Sequence, residues 1–170
     1  MTVASHGTRP GARVGVDVGT ARVGVAASDP SATFAHPVRT VPRDVEGGSD
    51  LGAIVDLVEE LGAVEVVVGL PRLLSGQEGA SAGQARAFAA QLAARLGTVS
   101  VRMVDERLTT VDAHRRLRDS GMPGRSQRAV VDQAAAVLIL QTALDTEAQS
   151  GRPPGETVTP SGKRKKERRR

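Results

Sequence analysis

The chain has 170 residues, no cysteine, tryptophan or tyrosine, and only two phenylalanines, Phe34 and Phe88. That length suits one domain with a real core, and the composition excludes disulfide frameworks, thiolate zinc sites and aromatic platforms for stacking bases. The net charge of +4 misleads, because residues 163–170 hold seven basic residues and one acidic, leaving residues 1–162 at about −2, with every lysine in that tail.

The segment before Ala12 is polar and is read as a flexible N-terminal segment, residues 1–11. It lacks the apolar stretch of a signal peptide, and nowhere do about 18 apolar residues run together. A cytoplasmic protein with no membrane association is expected.

Val14, Val16 and Val18 alternate with Arg13, Gly15 and Asp17, and after a Gly-Thr turn Arg22 to Ala27 reads as the second strand of a hairpin. A third strand is expected around His36 to Val41, between Pro37 and Pro42. Leu51, Ile54, Val55, Leu57, Val58 and Leu61 form a helical stripe that Gly62 ends. Val64 to Leu70 is a nearly continuous apolar run, as in a central parallel strand.

A loop containing Gly76 and Gly79 leads to a helix over about Ala80–Leu96, and Val99 to Val104 is the next strand. A short helix is predicted over Val111–Asp119, ended by Gly121 and Pro123. The last helix, about Ser126–Ala148, is apolar nearly all round between Ala134 and Leu140. The sum is an α/β domain over residues 12–149. Its mixed sheet has about five strands, the first three antiparallel, with helices on both faces. Residues 150–170, rich in Pro, Gly and charge, read as a disordered basic tail.

Three acidic motifs stand out: Gly15-Val16-Asp17-Val18-Gly19-Thr20, Asp105-Glu106-Arg107 and Val131-Asp132-Gln133-Ala134-Ala135. Each places a carboxylate at a strand end or in an apolar helix, where it is costly unless a cation meets it. Asp17 shares a strand face with Gly15, so a metal-bound phosphate could approach the backbone there; Asp17 could equally just open the turn. Strand parity puts Glu106 with Ser100 and Arg102 and slightly favours it over Asp105 as the acid facing a site. The same triplet also reads as a turn closed by an internal Asp–Arg ion pair. Asp132 begins the most apolar helical stretch, and Ser126 already offers a helix cap. Three oxygen ligands without histidine or cysteine suit Mg2+ or Mn2+. Two such ions about 3.5–4 Å apart would serve in-line attack on a phosphodiester.

Asp17-Val18-Gly19-Thr20, Val68-Gly69-Leu70-Pro71, Asp105-Glu106-Arg107-Leu108-Thr109-Thr110 and Val131-Asp132-Gln133-Ala134-Ala135-Ala136 resemble, in order and spacing, the YqgF/RuvX family of bacterial RNase H-like nucleases. The resemblance runs from about Arg13 to Asp145. It implies an RNase H-like fold and a divalent-metal phosphodiesterase that matures the 5′ end of the 16S rRNA precursor, with Holliday-junction resolution as a competing role. The family's catalytic and metal-binding acids fall on Asp17, Glu106 and Asp132, with Asp105 in reserve. Where the family commonly has a basic residue directly after the Asp-x-Gly-x element, this chain has Ala21 and then Arg22. Arg22, Arg107, Arg115, Arg116, Arg125 and Arg128 are the candidate contacts to precursor rRNA or branched DNA, with Arg118 in the same cluster.

An actin-like ATPase would share Asp-x-Gly-Thr but needs a second lobe that 170 residues do not hold. A nuclease-like module that binds RNA without cutting remains a rival. A homodimer would favour junction cleavage and a monomer RNA processing.

Overall fold

The computed structural model describes residues 7–108 and 125–160. Strands β1 (Arg13–Val18), β2 (Arg22–Ser28) and β3 (Ala35–Pro42) are followed by helix α1 (Ser49–Leu61), β4 (Glu65–Leu70), α2 (Ala80–Leu96) and β5 (Ser100–Asp105). A single 3-10 turn, Glu106–Leu108, follows β5; the long helix α3 (Arg125–Ser150) and a short β6 (Glu156–Thr157) complete the described elements. The sheet runs β3-β2-β1-β4-β5-β6. As expected, β1, β2 and β3 are antiparallel neighbours, whereas β1, β4 and β5 run parallel. The short helix expected at Val111–Asp119 lies outside the described residues.

Alternation along the strands divides the core in two. Val14, Val16, Val18, Val23, Val25, Val66, Val68, Val101 and Met103 pack with the apolar stripes of α1 and α2. The opposite face is smaller: Ala26, Val67 and Val104 meet Ala135, Ala136, Ile139, Leu140, Ala143 and Leu144 of α3. Burying each valine contributes roughly 1.5–3 kcal/mol of hydrophobic stabilisation. The cramped second face lets α3 lie close against the sheet.

Two features correct the sequence reading. The sheet has six strands, since Glu156 and Thr157 pair antiparallel with Met103 and Arg102, and the Val158 amide donates to the Val101 carbonyl at 2.8 Å. This strand lies in the segment that composition assigns to a disordered tail from residue 150; residues 161–170 are outside the described part. At the other end Arg9, placed in the flexible segment 1–11, reaches Glu147 at 2.6 Å and Glu65 at 3.1 Å. Long-range ion pairs of this kind leave no trace in local composition.

The outer edge belongs to β3. It carries Pro37 and Pro42, which lack an amide donor, and its register with β2 shifts at Val25/Ala26.

Candidate active site

Because Val16 and Val18 point into the α1/α2 side, Asp17 points to the α3 side, and it is 1% exposed. Its cross-strand neighbour on β2 is Gly24. A Cβ on Gly24 would collide with the Asp132 carbonyl oxygen and lie 3.2 Å from the Asp132 Cβ. Asp132 of α3 therefore rests directly on β2 beside Asp17, and it is 3% exposed. On the other flank, β1 and β4 pair in parallel up to Val16 and Val68, so Asp17 and Gly69 follow side by side. A Cβ on Gly69 would stand 2.6 Å from Glu106 Oε1 and 2.6 Å from Ile139 Cδ1. Glu106, 3% exposed, thus lays its carboxylate over β4.

The three acids fall in a row across β2, β1 and β4, with Asp17 in the middle. The outer two come from α3 and the 3-10 turn and lie over the strands that flank β1. The strand glycines Gly69, part of the Val68-Gly69-Leu70-Pro71 motif, and Gly24, which the sequence reading did not single out, make this row possible by admitting acid-bearing segments against bare backbone. Gly24→Ala is expected to destabilise the protein by about 1–3 kcal/mol, and to weaken divalent-ion binding because the obstructed atom is helix backbone that carries Asp132. Thermal melting and isothermal calorimetry with Mn2+ would read the two effects; a wild-type melting curve would refute the close approach.

Gly15 behaves otherwise than expected. A Cβ there would meet Leu140 Cβ at 2.7 Å and the Ala136 carbonyl oxygen at 2.9 Å, so α3 covers it and no phosphate reaches β1 at that residue.

Arg22 lies beside the row: its Nε donates to Asp132 Oδ2 at 2.9 Å, and its side chain is 26% exposed. The Asp105-Glu106-Arg107 triplet separates by face. Asp105 does close the internal ion pair: the Arg107 amide donates to Oδ1 at 2.9 Å, and Arg107 Nε and Nη2 both donate to Oδ2, at 3.1 and 2.7 Å, with Nε also 3.2 Å from Oδ1. Arg107's hydrogen bonds hold the Asp105 carboxyl below its ordinary pKa. Arg72, which the sequence reading passed over, approaches the same carboxylate at 3.5 Å. So it is Glu106, and not Asp105, that stands beside Asp17. Arg115, Arg116 and Arg118 lie outside the described residues, as do the side chains of Arg125 and Arg128.

Among the described residues no group of three acidic or histidine side chains is gathered tightly enough to hold an ion as it stands. The donor chemistry nonetheless fits a hard divalent cation. All three groups are carboxylates, all are buried, and the two glycine gaps bring the outer ones in toward Asp17. Asp132 and Glu147 lie at opposite ends of one buried stripe of α3, 15 residues and so about 22 Å apart. Glu147 meets Arg13 at the start of β1, and Asp132, resting on β2 beside Asp17, meets Arg22.

A mixed sheet with β1 central, a covering helix and carboxylates at the strand ends defines the RNase H-like class of α/β proteins. Two solved structures share the fold: Thermus thermophilus RuvC in complex with a Holliday junction substrate has a TM-score of 0.55 at 16% identity, covering 86% of this chain and 99% of that one. RuvC from the same organism determined separately gives 0.53 at 17% identity, covering 85% and 99%. The family profile described as RuvX: Holliday junction resolvase matches residues 11–146, and the chain belongs to that family. A relative from Nocardioides sp. is 57% identical over 152 residues, 88% of this chain and 97% of the relative. One from Streptomyces coelicolor is 53% identical over 151 residues, 88% and 89%. Both carry the provisional name of pre-16S rRNA nuclease.

Proposed function

We propose that this chain is a divalent-metal-dependent nuclease that hydrolyses phosphodiester bonds in maturing the 5′ end of the 16S rRNA precursor, in the cytoplasm. The observation that carries the reading is the row of Asp132, Asp17 and Glu106 over Gly24 and Gly69 at the ends of the strands. The curated relatives' names supply the substrate. No helix among the described residues is long and apolar enough to cross a membrane.

Asp17, Asp132 and Glu106 are the groups that would hold magnesium or manganese. Bound there, the ions supply polarisation of the scissile phosphate and of the attacking water. Asp17, between the other two on the sheet, would be a ligand in common to whichever neighbour completes the set. Burial keeps competing water from the carboxylates and strengthens their hold on positive charge. Arg22 neutralises Asp132 and, being part exposed, also offers donors where a phosphate would arrive. None of these steps needs histidine or cysteine.

The family's description favours a second reading, junction resolution, which requires two such sites in one symmetric assembly. Purified protein with Mn2+ should cut a precursor 16S 5′ segment in preference to a four-way junction. Preferential junction cleavage by a dimer would establish the second reading. Binding of the RNA without cleavage of either would leave a non-catalytic module.

A further inference from the structure

Asp105 ends β5 beside Leu70, the last residue of β4, and these two strand ends carry the β4–α2 loop and the 3-10 turn. Across that junction Asp105 engages two arginines. Arg107 is held as a fork, with Nε and Nη2 on the carboxylate. Arg72 stands 3.5 Å away through its Nε, an atom that is buried and makes no hydrogen bond, while its Nη1 donates a long bond to the Gly76 carbonyl at 3.4 Å. The loop folds back over the pair: a Cβ on Gly76, at φ +84°, would touch Arg107 Nη1 at 3.0 Å. Two guanidiniums around one carboxylate leave a net positive charge. The Arg72 and Arg107 side chains are 31% and 39% exposed, so each keeps N–H donors that water reaches.

A surface ion pair adds little stability, which makes a purely structural reason for this arrangement weak. Its position is more telling, because Glu106 lies between Asp105 and Arg107 in the chain and turns to the opposite face, beside Asp17. The fork is thereby fixed one residue from the carboxylate row.

We propose that Arg72 and Arg107 form a clamp for a backbone phosphate of the nucleic acid next to the cleavage site, and that Asp105 is the positioning residue that holds both guanidiniums in place. The proposal rests on the nuclease reading above and adds Arg72 and a role for Asp105 to it. It assigns Asp105 no contact with metal. The clamp reads no base, so its contribution is independent of sequence and sensitive to salt.

The test uses the full chain with a fluorescently labelled oligoribonucleotide and a labelled four-way junction, in Ca2+ to permit binding without turnover and in Mn2+ for cleavage. Arg72→Gln and Arg107→Gln should each weaken binding to both probes and make the plot of log affinity against log salt shallower by about 1. Arg72→Lys should retain the slope. Asp105→Asn removes a negative charge, so an unorganised basic surface would bind more tightly. The clamp instead requires looser binding and slower cleavage, with the heat of Mn2+ binding and the melting temperature unchanged.

Three results would overturn the proposal: an unchanged salt slope in Arg72→Gln, binding that is unchanged or tighter in Asp105→Asn, or loss of Mn2+ binding in Asp105→Asn. If wild type binds the probes but cuts neither, the nuclease reading fails while the binding comparisons still decide the clamp; if it binds neither, both fail.

Discussion

Asp17→Asn is expected to abolish calorimetric binding of Mn2+ and to reduce cleavage by at least about a hundred-fold, since even residues that merely support metal ligands are worth about 10–100-fold. The same variant should melt in chelator at or above the wild-type temperature. Asparagine keeps the shape of a side chain that is 1% exposed and flanked by the buried Val16 and Val18. It also removes a negative charge from a face that holds two further buried carboxylates, Asp132 and Glu106. A large loss of function with no loss of stability separates a site residue from a core residue. Undiminished Mn2+ binding in this variant would remove Asp17 from the site, and the proposed mechanism with it.

Glu147→Ala should do the reverse, costing stability before function. Glu147 accepts from Arg9 Nε at 2.6 Å and from the Arg9 amide at 3.2 Å, and it lies 3.6 Å from Arg13 Nη2. The Arg13 side chain is 1% exposed; two of its nitrogens, Nε and Nη2, make no hydrogen bond, and its Nη1 donates to the carbonyls of Arg9 and Gly11. Removing Glu147 strips that guanidinium of its nearest counter-charge. Breaking a buried pair from one side costs about 3–5 kcal/mol. At about 2–4 °C per kcal/mol in a domain of this size, the melting temperature should drop by roughly 6–12 °C at the lower end of that cost.

The pH dependence has a definite sign. Burial opposes ionisation of Glu147, but the hydrogen bonds from Arg9 and the nearby Arg13 charge outweigh it and hold the carboxyl below its ordinary value of 4.5. A lowered carboxyl pKa stabilises the fold fully above the ordinary value, and that contribution is lost as pH falls through the folded-state value. The gap between wild type and Glu147→Ala should therefore be constant near neutral pH and close below about 4.5. A gap that widens in acid would show that the carboxyl is raised instead.

The two variants mark the limits of what the sequence makes legible. Valine alternation was enough to place Asp17 on the face opposite the valines, which the fold covers with α3, and the same parity placed Glu106 opposite Met103 and Val101. Periodicity is a local property and survives without knowledge of the fold. The pairs Arg22–Asp132, 110 residues apart, and Arg9–Glu147, 138 residues apart, are set by how elements pack, and no local pattern encodes them. Strand β6 escaped because two residues in a polar, proline-rich stretch carry too little pattern, although Val158 packs against the core. Gly15 misled for a related reason. Its lack of a side chain was read as room for a phosphate, when it is room for α3. Gly24 and Gly69 use the same freedom for the site itself, and only the tertiary structure separates these uses.

The β3 edge bears on how copies of this chain can associate. Its two prolines and the register shift against β2 deny an incoming strand a regular hydrogen-bonding ladder. At the far side β6 offers two residues, too few to template a partner strand. Joining two sheets edge to edge through the described strands into one continuous sheet is thereby disfavoured. A paired assembly able to cut both arms of a branched substrate would have to meet through helices or loops, so its interface would be built from side chains and open to disruption by point substitution.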